Sequence, residues 1–301
     1  MRNATLSLTI ALALCACGRI GPPDDADRVE TAVDQPAPAT AAPAPGGTAD
    51  AIATQDPLDA ALAGDWRGDT RARDQYRHPA ETLRFFGVEP DDTVVEITPG
   101  GGWYARVLAP YLRANGHYVA AVVDPERAGE RARDYQARAR DQLQGLLADT
   151  SVYGETEIVA FDPAAPAFGA PGSADVVLTF RNVHNWRGGG NAEAMFRGFF
   201  EVLKPGGVLG VVEHRAAQDV PDDDGTGYVG EAQVVALAEQ AGFRLDGKSE
   251  INANPADTRD HPNGVWTLPP TSNLPEGADP APFQAIGESD RMTLRFVKPQ
   301  A

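Results

Sequence analysis

Residues 94–105 read Val-Val-Glu-Ile-Thr-Pro-Gly-Gly-Gly-Trp-Tyr-Ala: an apolar strand carrying the acid Glu96, then a glycine loop entering a helix. A second apolar run, Val119–Val123, ends in Asp124, 22 residues after Gly102. Glycines let a backbone approach a ligand closely, and an acid closing the next strand can accept hydrogen bonds from ribose hydroxyls. The pattern predicts a site for a ribose-bearing cofactor.

Outward from this stretch, apolar strands and helical periods alternate. Helical periodicity over 57–86 places Leu58, Leu62 and Trp66 at spacing four, and Ala80–Phe86 leads to Gly87. Val94–Ile97 reads as the first strand. Trp103–Ala114 reads as a helix kinked at Pro110, and Tyr118–Val123 as strand two. Glu126–Leu147 predicts a long helix with Ala128, Ala132, Tyr135, Ala139 and Leu143 on one stripe. Its arginines interleave with acids, which reads as a solvated, salt-bridged face rather than a basic binding surface. Glu157–Phe161 and Ala174–Phe180 are strands three and four. Helix Ala192–Leu203, strand Val208–Glu213, helix Glu231–Ala241, strand Phe243–Glu250 and strand Met292–Lys298 complete the rhythm. The fold class is α/β: a doubly wound, mostly parallel, seven-stranded Rossmann-like sheet with helices on both faces.

The 301 residues are 42% hydrophobic and 23% charged, with formal charge −17 and pI near 4.6. Such a chain repels nucleic acid, so none is expected as partner. Both cysteines, Cys15 and Cys17, precede the folded region, which excludes disulfides, thiol nucleophiles and cysteine metal sites within it. Arg2, the apolar run Leu6–Leu14 and the small residues after it describe a secretion signal, too short to span a bilayer. Leu14-Cys15-Ala16-Cys17 resembles a bacterial lipobox with Cys17 as the lipidated residue. Residues 18–55 are rich in Pro, Ala and Asp and read as an extended tether. The expected organisation is a signal over 1–17, a tether over 18–55 and a globular domain over 56–301. Gly18 after the cysteine points by resemblance to the periplasmic face of the outer membrane, with the lipid as sole membrane contact.

The glycine loop, Asp124 and Asp162 closing strands two and three, Leu203-Lys-Pro-Gly-Gly207 and Ala241-Gly-Phe243 together resemble the class I S-adenosylmethionine-dependent methyltransferases, over residues 75–300. Thr179–Trp186, Val212–Arg215 and Glu288–Met292 resemble, more narrowly, a group of predicted methyltransferases, some carrying secretion signals. Where that family has acid-x-Gly-x-Gly-x-Gly, this chain has Thr98 at the first glycine and a stiffening Pro99. The resemblance implies S-adenosylmethionine as cofactor. Glu96, Thr98, Gly100, Gly101 and Gly102 would line its methionine end; Asp124 would bind its ribose and Asp162 its adenine amine. Arg181 and Asn182 would flank the sulfonium.

His184 and His214 are the candidate bases for an acceptor that must lose a proton; equally, each could be a loop-tip residue bonded to backbone. Asn182, Asn185 and Trp186 beside His184 form a polar and aromatic cluster. The long stretch 251–271, with Arg259, His261 and Trp266, reads as a lid over the acceptor. Asp257, Asp260 and His261 match no metal-site spacing, and no metal is expected. The expected activity is methyl transfer to a small or envelope-associated acceptor. Two alternatives stand beside it: a non-catalytic tethered lipoprotein that kept the fold, and an NAD(P)-dependent oxidoreductase, since Gly100–Ala105 also satisfies Gly-x-Gly-x-x-Gly/Ala.

Overall fold

A computed structural model describes residues 56–300; the lipobox with Cys17 and the tether lie outside them. Seven strands form one sheet: β1 Thr93–Ile97, β2 His117–Val123, β3 Thr156–Phe161, β4 Ala174–Phe180, β5 Leu203–His214, β6 Arg244–Ser249 and β7 Arg291–Val297. Their order is β3-β2-β1-β4-β5-β7-β6. β7 runs antiparallel to β5 and β6, and the pairs from β3 to β5 are parallel.

Side-chain alternation explains why the central strands are apolar throughout. Val94, Tyr118, Ala120, Val176 and Leu178 enter one core under the helices Pro79–Phe86 and Ala105–Leu112. Val95, Val119, Ala121 and Val177 enter a second core under Ala192–Val202 and Glu231–Gln240. Chain order reverses between neighbours β1 and β4, the switch point beyond which open α/β sheets bind ligands.

Three regions depart from the sequence reading. Residues 57–86 form separate pieces, Pro57–Ala63, a 3₁₀ segment Asp65–Arg73, Asp74–Arg77 and Pro79–Phe86. Gly68 and His78 sit at positive φ, and the ring of Pro79 disfavours helical geometry at the residue before it. The next long helix begins at Glu130, not Glu126. Asp124 Oδ1 accepts the Glu126 N–H at 3.0 Å, and the Asp124 carbonyl accepts Arg127 and Ala128, so the chain turns before it winds. On that helix Tyr135 is 60% exposed, so the expected stripe does not bury as a unit. The Arg140–Asp141 pair is its ion pair among the described residues, well short of a laced face. Finally, the loop-tip alternative for His184 gives way to a helix: Val183–Gly188 is helical, with Arg181 and Asn182 just before it.

Candidate functional site

One cavity of about 1290 Å³ opens at the switch point, above the roughly 300–1,000 Å³ usual for a single small ligand. Its wall includes Glu96 near the end of β1, Thr98, Gly100 and Gly101 after it, Asp162 after β3, Arg181, Asn182 and His184 after β4, and His214 at the end of β5.

The glycine loop divides its work. A Cβ added at Gly100 or Gly101 would meet nothing within 4 Å, so that backbone stands open to the cavity. Gly102 does not line it. With φ +73°, it turns the chain where a Cβ would lie 2.8 Å from Leu146, and it serves helix packing. Thr98 holds φ +52° and keeps a buried, unpartnered Oγ1. A β-branched residue there is strained, which is the physical reason a glycine is the easier choice. Glu96 is 2% exposed and accepts Tyr118 Oη–H at 2.6 Å. Burial pushes its carboxyl up to about 7, against the pull of Tyr118, Arg77 and Arg181.

The two acids expected at the cofactor stand differently. Asp162 lines the cavity, one oxygen accepting the Ala164 N–H at 2.9 Å. Asp124 closes β2 as expected, but it caps its own turn and is not among the lining residues; Val123 and Arg127 around it are. Tyr135 and Gln136 reach the same end of the cavity.

Across the switch point, Asn182 is spent on position. Its Nδ2 donates to the carbonyls of Ile97 at 3.2 Å and Phe180 at 3.3 Å, tying the ends of β1 and β4 together. His184 lies in the first turn of the helix Val183–Gly188. Its Nδ1 is 3.0 Å from Glu213 Oε1, and Glu213 is fully buried. Glu213 also accepts the Val183 N–H at 2.5 Å and the His214 N–H at 2.8 Å. The carboxylate therefore places the His184 hydrogen on Nδ1 and leaves Nε2 as the acceptor. His214 pairs through Nδ1 with Ser289 Oγ at 2.5 Å. Burial, with His184 and nearby arginines, holds its imidazole well below the usual value, so it stays neutral. Of the two candidate bases, His184 is the oriented one. His184, Glu213 and His214 also offer ligand atoms within 4.8 Å of one another; in this arrangement the carboxylate is engaged by three N–H groups.

Sequence reading missed one cluster on the wall. Arg73 and Arg77 line the cavity from the broken N-terminal segment, and Glu288 and Ser289 from the approach to β7. Glu288 accepts Arg73 Nε at 2.6 Å, Arg77 Nε at 3.3 Å and Arg291 Nη1 at 3.1 Å. Burial would raise its carboxyl, but Arg77, Arg291 and Arg73 hold it down to about 2. Arginines at 73 and 77, at helical spacing, were the signal available. The stretch 251–271 contributes Val265, Trp266 and Pro269–Thr271, with the Trp266 ring centred 6.0 Å from His184. Arg259 and His261 turn away to Asp290 and Asp257.

No protein-family model and no curated protein matches the chain. Similar solved structures include a SAM dependent methyltransferase from Aquifex aeolicus, at 14% identity and TM-score 0.47 over 75% of this chain and 93% of that one. A SAM-dependent methyltransferase from Methanosarcina mazei follows at 14% and 0.46, over 73% and 97%. The [4+2]-cyclase SpnF gives 16% and 0.48, over 75% and 81%. The fold is Rossmann-like, on its strand order and its antiparallel β7. These distant likenesses carry nothing further, and the chemistry rests on the residues of the cavity.

Proposed function

We propose that the protein transfers a methyl group from S-adenosylmethionine to a small or envelope-associated acceptor. What carries this reading is one cavity that joins the open Gly100–Gly101 backbone and Asp162 on one side of the switch point to the oriented His184–Glu213 pair on the other. The residues suit the cofactor: an exposed loop backbone, an unpartnered Thr98 Oγ1 and an acid with a spare oxygen near the adenine end. When bound, S-adenosylmethionine supplies an activated methyl on a sulfonium. The protein's part is alignment of donor and acceptor, which can supply much of the rate. His184 Nε2 would take the proton that the acceptor loses as it accepts the methyl, while the bound cofactor would supply that methyl and keep the S–C bonding pair on sulfur.

Calorimetry on the purified protein tests this. S-adenosylhomocysteine is expected to bind with about micromolar affinity, weakened at least tenfold in Asp162→Ala, about 1.4 kcal/mol. Absence of binding by either S-adenosylmethionine or S-adenosylhomocysteine would turn the reading to a non-catalytic fold, which the inward-capping Asp124 favours. Binding of NADH instead would mean an oxidoreductase.

The same proposal places the protein on the periplasmic face of a bacterial membrane through lipidated Cys17. Its motif is the support, together with the −17 charge, which disfavours direct attraction to anionic head groups. Cys17→Ser is expected to move the protein from the membrane fraction to the soluble one; retention in the membrane would defeat the anchor.

A further inference from the structure

The cavity carries more positive charge than its own acids neutralise. Arg73, Arg77 and Arg181 line it, with Arg291 directly behind. The acids beside them are Glu288, which already serves three guanidiniums, and Glu96, whose burial favours the proton; the wall's third acid, Asp162, lies after β3 beside Arg127. Arg77 is 2% exposed, and its Nη2, like that of Arg73, is buried without a hydrogen-bond partner. The Arg181 side chain has no hydrogen-bond or ion-pair partner among the described residues, and Arg181 itself is held at φ +63°. Burial, then a neighbouring guanidinium, lowers Arg77 to about 9 (beside Arg181) and Arg181 to about 10 (beside Arg291).

Unpaired buried charge is costly, and forked guanidinium donors match the geometry of an oxyanion. Structural pairing accounts for Arg291, whose three nitrogens reach the Ser289 carbonyl, Glu288 and the Tyr76 carbonyl. It leaves Arg73 and Arg77 each with a buried, unpartnered Nη2, and Arg181, partly buried, on the cavity wall without an ion pair among the described residues. S-adenosylmethionine does not fill the deficit: with a sulfonium, an ammonium and one carboxylate it enters with net positive charge. The cavity volume leaves room for a second molecule beside it. Arg181 stands three residues before His184, on the acceptor side of the switch point.

Resting on the methyltransferase reading, we propose that the acceptor carries an oxyanion, a carboxylate or a phosphate, which Arg181, Arg77 and Arg73 grip while His184 faces its nucleophile. The protein's overall negative charge makes this site selective by position: an anionic acceptor gains nothing from the surface and binds only where the arginines converge.

Calorimetry of the full chain with inorganic phosphate and with succinate, each free and saturated with S-adenosylhomocysteine, tests the proposal. One of the two anions is expected to bind with about millimolar affinity in both states, and at least tenfold more weakly in Arg181→Gln. Arg73→Gln, at a position 27% exposed and outside the two apolar cores, is expected to lose affinity in the same direction and guards against misfolding of the first variant. Preference for phosphate or for succinate identifies the acceptor's anion. Three results overturn the site: neither anion binds, both variants bind as the wild type does, or saturation with S-adenosylhomocysteine abolishes binding, which would make the arginines the seat of the cofactor's own carboxylate. If S-adenosylhomocysteine fails to bind while phosphate or succinate still responds to Arg181→Gln, the methyltransferase reading falls and the anion site stands.

Discussion

Glu213→Gln lowers the rate of S-adenosylhomocysteine formation by about 10²–10⁴-fold, the range lost when a positioned proton acceptor fails. Glu213 accepts three N–H groups, from Val183, His214 and His184, and is fully buried. A glutamine has one acceptor oxygen for these three donors. Its amide would either oppose a backbone N–H or donate to His184 Nδ1. In the second arrangement the imidazole carries its hydrogen on Nε2, and the cavity loses its base. Turnover is measured with a cell-envelope extract as source of acceptor, and S-adenosylhomocysteine affinity by calorimetry. Rate should fall while that affinity holds within about twofold, because Glu213 does not line the cavity. His184→Asn should match it in rate. A loss in Glu213→Gln that raising the pH restored, or one accompanied by equal loss of cofactor affinity, would contradict an orienting role.

The central strands β1, β2, β4 and β5 were legible because they are buried on both faces, and the edge strands β3 and β6 by their place in the alternation of strands and helices. Ala174–Phe180 emerges with the bounds expected, and β2, β3, β6 and β7 within one residue at either end. Where one local signal competes with another, sequence reading fails. Leu58, Leu62 and Trp66 do fall at helical spacing, yet Gly64 and Gly68 interrupt the backbone, and Trp66 instead donates its Nε1 hydrogen to the Arg106 carbonyl at 2.9 Å. The candidate site was legible on the strand ends and nowhere else. Loops after β1, β3 and β4 announce themselves by acids, glycines and histidines beside apolar runs. Arg73 and Glu288 meet at 2.6 Å across 215 residues of sequence, and neither sits in a pattern that predicts the other. His184 was legible as a candidate base and Glu213 only as the end of a strand, since it is the parallel register of β4 and β5 that brings their ends together. Asp124 shows the converse: its position was right, while the turn that follows claims one of its oxygens.

Asp290→Ala destabilises the fold by about 3 kcal/mol, at the lower end for breaking a buried ion pair, because its arginines keep partial access to water. Asp290 is 1% exposed and accepts Arg215 Nε at 2.9 Å and Nη2 at 3.0 Å, Arg259 Nη2 at 2.5 Å and the Asn254 N–H at 2.8 Å. Its own N–H goes to Asp257, which also takes Tyr228 Oη–H and pairs with His261. This hub fastens the stretch 251–271 and the approach to β7, so it holds both Trp266 and the Glu288–Ser289 wall of the cavity. At about 2–4 °C per kcal/mol for a domain of this size, the melting temperature should fall by about 6–12 °C at pH 7. The pH dependence has a definite sign. Burial raises the Asp290 carboxyl, but hydrogen bonds from Arg215 and Arg259 outweigh it, and the net shift is downward. A depressed folded-state pKa means stability that is present above the unfolded value of about 3.9 and is lost as pH falls through the folded one. Glu288 acts in the same direction and remains in the variant. Wild-type stability should therefore fall on acidification below about pH 4, and Asp290→Ala should fall less steeply over the same interval. Melting curves from pH 7 to pH 3 decide it: a loss under about 1 kcal/mol at pH 7, or parallel acid slopes, would mean that the two arginines find other acceptors and that the lid is held elsewhere.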